Sequence, residues 1–347
     1  MRPGGRGAAG HGPGGREAPG LRDAWRLGDL TVPNRVVLAP LAGIGNWFVR
    51  LQAKRYGAGM AVSEMVSSFA VHHGNERTRT EMLRIHPEER AGGPVAVQLF
   101  GQDPEVMRSA ARTVARAGAD VIDLNMGCPV PKVMKTGAGV ALLKDHDLAV
   151  RVATAAREGG GVPVTVKLRS GLKAGDRSGV ELAHRLVADG GVSAIAFHPR
   201  SAQVHHKGRP DLELARELVA ELPVPVVLSG GMRDPDWIRR AWEQTGAEAI
   251  MLARGALGDP WLFRALLDGA VAQPSAEDVL AELDWVMDRA VEHLGAVRAG
   301  RYLRKFYPWY VERLGGDKRL QAALQATDDV GAARAVLEDR MALTMAA

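Results

Sequence analysis

The chain has a single cysteine, Cys128, in 347 residues. An internal disulfide is therefore excluded, and so is a structural metal site built from several thiolates. A chain this size with one thiol is expected in a reducing compartment, and we place it in the cytoplasm. No uninterrupted apolar run approaches the roughly 18 residues that mark a membrane span. The first 24 residues, "MRPGGRGAAGHGPGGREAPGLRDA", lack the apolar core of a secretory signal. None of the apolar, strand-like runs is followed by the G-x-G-x-x-G turn of a dinucleotide-binding fold.

Those first residues are instead rich in Gly, Pro and Arg, too poor in apolar surface to offset the entropy of ordering, and read as a disordered extension over 1–24. Five arginines in or beside it, at 2, 6, 16, 22 and 26, stand against Glu17 and Asp23, so much of the formal charge of +5 sits there. The whole chain is 46% hydrophobic and 24% charged, an ordinary globular balance.

Eight short apolar runs recur along the chain: "RVVLAPLAG" (35–43), "MAVSEM" (60–65), "PVAVQLFG" (94–101), "VIDLNMG" (121–127), "VPVTVKLR" (162–169), "AIAFHPR" (194–200), "VPVVLSGG" (224–231) and "AIMLARG" (249–255). Helix-period segments lie between them, such as 103–120 and 234–248. Both open on Asp-Pro, an N-cap followed by Pro at the first helical position, and Gly118 and Gly246 suit their ends. Eight strand–helix units predict an α/β fold, a (β/α)8 TIM barrel, over about 25–270. From about 275 the pattern is helical only, so an all-helical C-terminal domain is expected over 275–347.

In such a barrel, chemistry sits at the C-terminal strand ends. Polar residues gather there: Glu64, Gln98, Asn125, Lys167, Arg169, His198, Arg200 and Arg254. The turns after strands seven and eight, Ser229-Gly230-Gly231 and Ala253-Arg254 onward, suit a phosphate cradle of backbone N–H groups with Arg254 as a bidentate partner. Lys167 would face the negative charge of a reduced flavin, with Gln98 and His198 hydrogen-bonding the ring. Together these indicate a noncovalent FMN site. Cys128 stands in an Asn-x-Gly-Cys-Pro context at the end of strand four, where a thiol is more than a small buried hydrophobe.

Between 298 and 319 lie seven Lys/Arg against Glu312 and Asp317, with Tyr302, Phe306, Trp309 and Tyr310 at helical spacing. The pattern alone admits a packed aromatic face beside a solvated charged one, or an RNA-facing surface.

The segments "LAPLAGIGNWFVR", "VQLFGQDPEVM", "VIDLNMGCPVPKVMKTGAGVALLKD", "VPVTVKLRSG", "GAEAIMLARGALGDPWLF" and "LRKFYPWYVERLGG" resemble the tRNA-dihydrouridine synthases, in particular the bacterial B-type subgroup. The likeness covers about 25–325. It implies an FMN barrel with a helical tRNA-binding domain, using NADPH to reduce uridine in tRNA. In that family hydride passes to uracil C6 and a cysteine protonates C5. Cys128 matches that cysteine and would be a general acid, a role open to an ordinary thiol at neutral pH. Asn125 would hold the uracil edge. Flavin contacts would come from Pro40, Leu41, Ala42, Gln98, Lys167, His198, Ser229, Gly230, Gly231, Ala253 and Arg254. Arg200, Arg301, Arg304 and Lys305 would meet tRNA. A monomer without a metal site is expected.

Three departures from the family pattern stand out: Gly45-Asn46 where Thr-Asp is usual, Pro199 and Ser201 within an HGRT-like block, and Ser229-Gly230-Gly231 in place of NGD. The rival readings are another FMN barrel acting on a small molecule and a non-catalytic RNA-binding module. The first would not need the basic helical tail, and the second has no use for Lys167 or the phosphate turns.

Overall fold

A computed structural model of the chain describes residues 19–269 and 272–345. The N-terminal extension therefore lies outside the described residues up to position 18. Its last part departs from the expectation: Leu21 is buried and its carbonyl accepts from Arg35 N, while Arg22 bonds Leu267 O and pairs with Asp268. Residues 19–24 are thus fixed by one apolar side chain and one arginine, against the disorder their composition suggests.

A hairpin that the sequence reading missed follows, β1 (Trp25–Leu27) and β2 (Leu30–Val32). Each strand has three residues, too short for a periodicity to register. Eight parallel strands then close a barrel: β3 (Val36–Leu38), β4 (Met60–Ser67), β5 (Val95–Phe100), β6 (Val121–Met126), β7 (Val164–Arg169), β8 (Ala194–His198), β9 (Val226–Ser229) and β10 (Ala249–Leu252), with β10 pairing β3. All eight fall inside the eight apolar runs or extend one by two residues.

Strand alternation sorts the side chains into two cores. Ile122, Leu124, Val166, Leu168, Ile195 and Phe197 face the surrounding helices. Val37, Met60, Val62, Ala96, Val121, Ala194, Val227 and Ala249 fill the interior, and Trp25, Leu27 and Val32 of the hairpin join them, plugging the end where the strands begin. The inward positions further along the same strands become polar, which is where the site forms.

The Asp-Pro openings act as expected. Asp103 accepts from Glu105 N and Val106 N at the head of Pro104–Arg116, and Asp234 from Trp237 N at the head of Pro235–Thr245. Helices Ala276–Leu294, Ala296–Leu303, Tyr307–Arg313, Lys318–Ala326 and Val330–Met345 make up the C-terminal region. Ser275 and Asp278 form a capping box at its start.

The helical region docks on the barrel through polar contacts. Gln52 of helix Trp47–Arg55 donates to Glu282 at 2.8 Å and to Tyr310 Oη at 2.9 Å, and Tyr56 donates to Glu282 at 2.8 Å. The Gly45-Asn46 departure belongs to this junction. Asn46 caps helix Trp47–Arg55, accepting from Phe48 N and Val49 N, and its Nδ2 donates to Tyr302 Oη at 2.5 Å. A Cβ at Gly45 would lie 2.9 Å from Leu41 O and 3.0 Å from Glu64 N, so the tight 41–45 turn packed on the backbone of Glu64 requires glycine there. The aromatic stripe of the tail is a packed face: Phe306 and Tyr310 are buried, and Tyr302 packs on Phe306 and Phe48.

Candidate active site

The C-terminal strand ends open into a cavity of about 450 Å³. Pro40, Ala42, Gln98, Asn125, Cys128, Lys167, His198, Arg200, Ser229, Gly230, Gly231, Ala253 and Arg254 all line it, so almost every residue picked from the sequence for flavin or uracil converges there. Leu41 does not. It lies beyond the end of β3, and its side chain is buried in the core between strands and helices. Arg301, Arg304 and Lys305 lie outside the cavity lining.

Five cationic side chains line the cavity, Lys167, Arg169, Arg200, Arg233 and Arg254, and no carboxylate is among the lining residues. Arg233 was missed by the sequence reading; its signal was its place two residues past the glycine turn after β9. Arg233 and Arg254 are exposed, and their guanidinium groups have no hydrogen-bond or ion-pair partner among the described residues. The loops that carry them lie backbone against backbone, since a Cβ on Gly255 would sit 2.1 Å from Met232 O. Gly230, at φ +105°, has equally little room: a Cβ there would be 2.2 Å from His198 Cδ2.

Deeper in, burial lowers Lys167 to about 8, and its Nζ lies 3.3 Å from Ser229 Oγ. His198 is held far below the usual histidine range, first by burial and then by Lys167, Arg169 and Arg200 around it. It is therefore neutral, and with Arg200 Nη1 3.3 Å from its Nε2 the ring carries its hydrogen on Nδ1. Arg200 also donates to Gly208 O at 2.6 Å, and Arg169 donates to Gly127 O, Ser201 O and His205 O. The Pro199/Ser201 departure is thus part of a loop held by backbone carbonyls, with Arg169 as its organiser.

Cys128 follows β6 in a half-buried loop. Asn125 Oδ1 accepts from Cys128 N at 2.9 Å and from Gly127 N at 3.3 Å. Val140 N donates to Cys128 O, and Gly139, at φ +63°, leaves room for that contact, because a Cβ there would be 2.6 Å from Cys128 O. The "GCPVPKVMKTGAGV" spacing folds the chain back over the thiol's own loop. Asn125 Nδ2 donates to Gln98 Oε1 at 2.9 Å, so this amide is largely turned inward and not free for a ligand.

In the helical region, Arg304 bonds Thr327 O and pairs with Asp328, which makes it a helix-to-helix tie. Lys305 donates to Gly43 O at 3.1 Å at the barrel rim, and Arg301 is exposed without a partner among the described residues.

Comparison with known proteins bears on the family and the fold. The sequence profile of the family described as Dihydrouridine synthase (Dus) matches residues 37–346. The chain is 33% identical over 314 residues to tRNA-dihydrouridine synthase B of Pseudomonas aeruginosa, covering 88% of this chain and 92% of the relative. It is 35% identical over 300 residues to tRNA-dihydrouridine synthase B of Xanthomonas axonopodis pv. citri, covering 83% and 86%. Among solved structures, a 2-naphthoyl-CoA reductase complex superposes with TM-score 0.59 at 15% identity over 72% of this chain and 52% of that one. Morphinone reductase in complex with tetrahydroNAD does so with TM-score 0.54 at 17% identity, over 75% and 94%. These two share the barrel fold. With a profile match across nearly all of the described chain and relatives similar over most of their length, the chain belongs to the dihydrouridine synthase family.

Proposed function

We propose that this chain reduces uridines of tRNA to 5,6-dihydrouridine, with FMN bound noncovalently in the barrel mouth and NADPH as electron donor. The observation that carries the reading is the cavity itself: five cations, no carboxylate and one thiol at the strand ends. Such a lining favours an anionic ligand throughout. The glycine-built loops leave backbone and the unpartnered Arg233 and Arg254 for a phosphate. Lys167 supplies the cation suited to the ring's negative edge, and Gln98, His198 and the backbone of 40–42 complete the pocket. The residues present therefore fit FMN. When bound, FMN would supply hydride transfer between NADPH and uracil C6.

The chain's own residues do the rest. Cys128 gives its thiol proton to uracil C5, and the Asn125, Gly127 and Val140 contacts hold its loop in place. Asn125 Nδ2 already donates to Gln98 Oε1 and, at 3.6 Å, to Met65 Sδ, so a contact to the uracil edge would replace the weak one to sulfur. Neutral His198 can donate from Nδ1. Arg200 is buried in the cavity wall and would meet the target nucleotide, not the outer tRNA backbone. Residues 25–270 would form the FMN-binding unit and 275–347 the tRNA-binding one, with Lys305 and Arg301 positioned for phosphates and Arg304 structural. A monomer working in the cytoplasm completes the reading.

Nucleoside mass spectrometry of tRNA tests it. Cells lacking this chain should lose dihydrouridine at defined positions, and re-expression should restore it, whereas Cys128→Ala should not. Dihydrouridine unchanged on deletion, in cells with no second such enzyme, would rule the reading out.

A further inference from the structure

Beneath the cavity floor lies a carboxylate that the mechanism above leaves unused. Asp123 is 1% exposed and sits on β6 two residues before Asn125. Its Oδ1 accepts from Thr165 Oγ1 at 2.5 Å and its Oδ2 from Gln98 Nε2 at 2.6 Å. Gln98, also 1% exposed, accepts from Asn125 Nδ2, and Asn125 Oδ1 accepts from the backbone of Gly127 and Cys128. The chain of bonds runs from a buried acid, through two amides, to the loop of the thiol.

An amide can turn either end toward a neighbour, and its orientation is set by what lies on each side. Here both ends of the chain are fixed. An ionised carboxylate only accepts, and a backbone N–H only donates. Gln98 must therefore present its NH2 to Asp123, which turns its oxygen to Asn125. Asn125 must then present its NH2 to Gln98, which leaves its oxygen for the Cys128 loop. If Gln98 were reversed, two NH2 groups would face each other in a dry site, at the cost of leaving buried donors unpaired.

We infer that Asp123 is a positioning residue for Cys128, acting through Gln98 and Asn125 to fix which end of the Asn125 amide meets the cysteine loop. The sequence spacing accounts for this. Asp123 and Asn125 share one face of β6, and Gln98 stands opposite Asp123 on β5, so parallel register brings the three together. The inference rests on the proposed role of Cys128 only for its catalytic consequence; the structural link can be tested without it.

Because Cys128 is the only cysteine, alkylation by iodoacetamide reports on its loop alone. The rate would be measured on folded, flavin-free and flavin-loaded full-length protein. Asp123→Leu removes the acceptor, and Asn125→Ala cuts the last link. Each should speed alkylation by at least about fivefold, the factor that one net hydrogen bond is worth. The double variant should be no faster than Asn125→Ala, because the effect of Asp123 passes through Asn125. Asp123→Asn should stay within about twofold of wild type, since its amide oxygen can still accept from Gln98 while its NH2 donates to Thr165 Oγ1. If Asp123→Leu does not fold, Gln98→Leu breaks the chain at its middle and should match Asn125→Ala. A wild-type rate in the folded Leu variant, additive effects in the double variant, or no rescue by Asn would each overturn the inference. Failure of the acid role of Cys128 would show separately: flavin reoxidation by tRNA would then be normal in Cys128→Ala whatever the alkylation rates.

Discussion

The barrel mouth and the helical tail are both rich in arginine and lysine, and they differ in what stands beside those charges. At the mouth, Lys167, Arg169, Arg200, Arg233 and Arg254 line one cavity with no carboxylate among them. In the tail, Arg298 pairs with Glu81, Arg304 with Asp328 and Arg313 with Asp259, which leaves Arg301 and Lys305 without an ion-pair partner among the described residues. Pairs of this kind near the surface contribute about 0–1 kcal/mol each to stability when exposed, but they neutralise the field a polyanion would feel. Cation count along a sequence therefore overstates the second region and understates the first. A binding field comes from charges left without counter-charges, and the barrel concentrates them by placing inward polar positions of several strands at one end.

The sharpest way to test the mouth is at its thiol. Cys128→Ala should leave flavin reduction by NADPH near normal and slow reoxidation by tRNA by about 10²–10⁴-fold, the usual range for a general acid. Stopped-flow absorbance on flavin-loaded protein separates the two half-reactions. Equal rates in both would reduce the mouth to a binding pocket with an incidental cysteine.

Next in size is the phosphate end. Arg254→Ala should weaken FMN binding by about 1.5–3 kcal/mol, the worth of a charge-assisted hydrogen bond, and Arg233→Ala should act in the same direction. Arg313→Ala, whose guanidinium is already paired with Asp259, should change FMN affinity little. Fluorescence titration of flavin-free protein measures all three, and an equal loss for Arg313 would erase the contrast between unpaired and paired cations.

Within the tail, the contrast can be sharpened residue by residue. Arg301→Ala and Lys305→Ala should each flatten the salt dependence of tRNA binding by about 0.7–0.9 in log–log slope, one released counterion per lost phosphate contact. Arg304→Ala should keep the slope and lower the melting temperature instead, because it ties helix to helix through Thr327 and Asp328. A slope change on Arg304→Ala alone would reverse the assignment.

The smallest expected effect is a pH slope. Burial raises Asp123 to about 6 from an ordinary value of 3.8. Between those values the folded protein keeps a proton that the unfolded chain has lost, so stability falls as pH rises through that window, by at most about 1.4 kcal/mol per pH unit. Asp123→Asn should lack this dependence. Urea denaturation of flavin-free protein at pH 4, 5 and 6 measures it, and identical slopes would mean that Asp123 titrates like an exposed acid.

How much of this was legible in the sequence depends on how local each signal is. The eight barrel strands and the Asp-Pro helix starts were readable because each is set by a few adjacent residues: apolar runs, caps and glycines. The cavity residues were readable because barrel geometry turns "end of strand" into "mouth". The three-residue hairpin strands carried too little pattern, and the anchoring of Leu21 and Arg22 depends on partners more than 240 residues away in the case of Leu267 and Asp268. Asp123 was passed over for a related reason. It stands inside an apolar run, and its importance appears only when β5, β6 and β7 bring Gln98 and Thr165 to it. The pairing state of Arg304 was likewise invisible, since Asp328 is 24 residues downstream.

The plug formed by Trp25, Leu27 and Val32 has a kinetic meaning on the proposed reading. A barrel sealed at one end has a single door, and a nicotinamide donor and a polynucleotide would both have to pass through it to reach the same reactive face. Neither can wait inside while the other works, so catalysis would alternate between two visits. Double-reciprocal plots of rate against one substrate at several fixed levels of the other would run parallel, and each substrate at high concentration would obstruct the other.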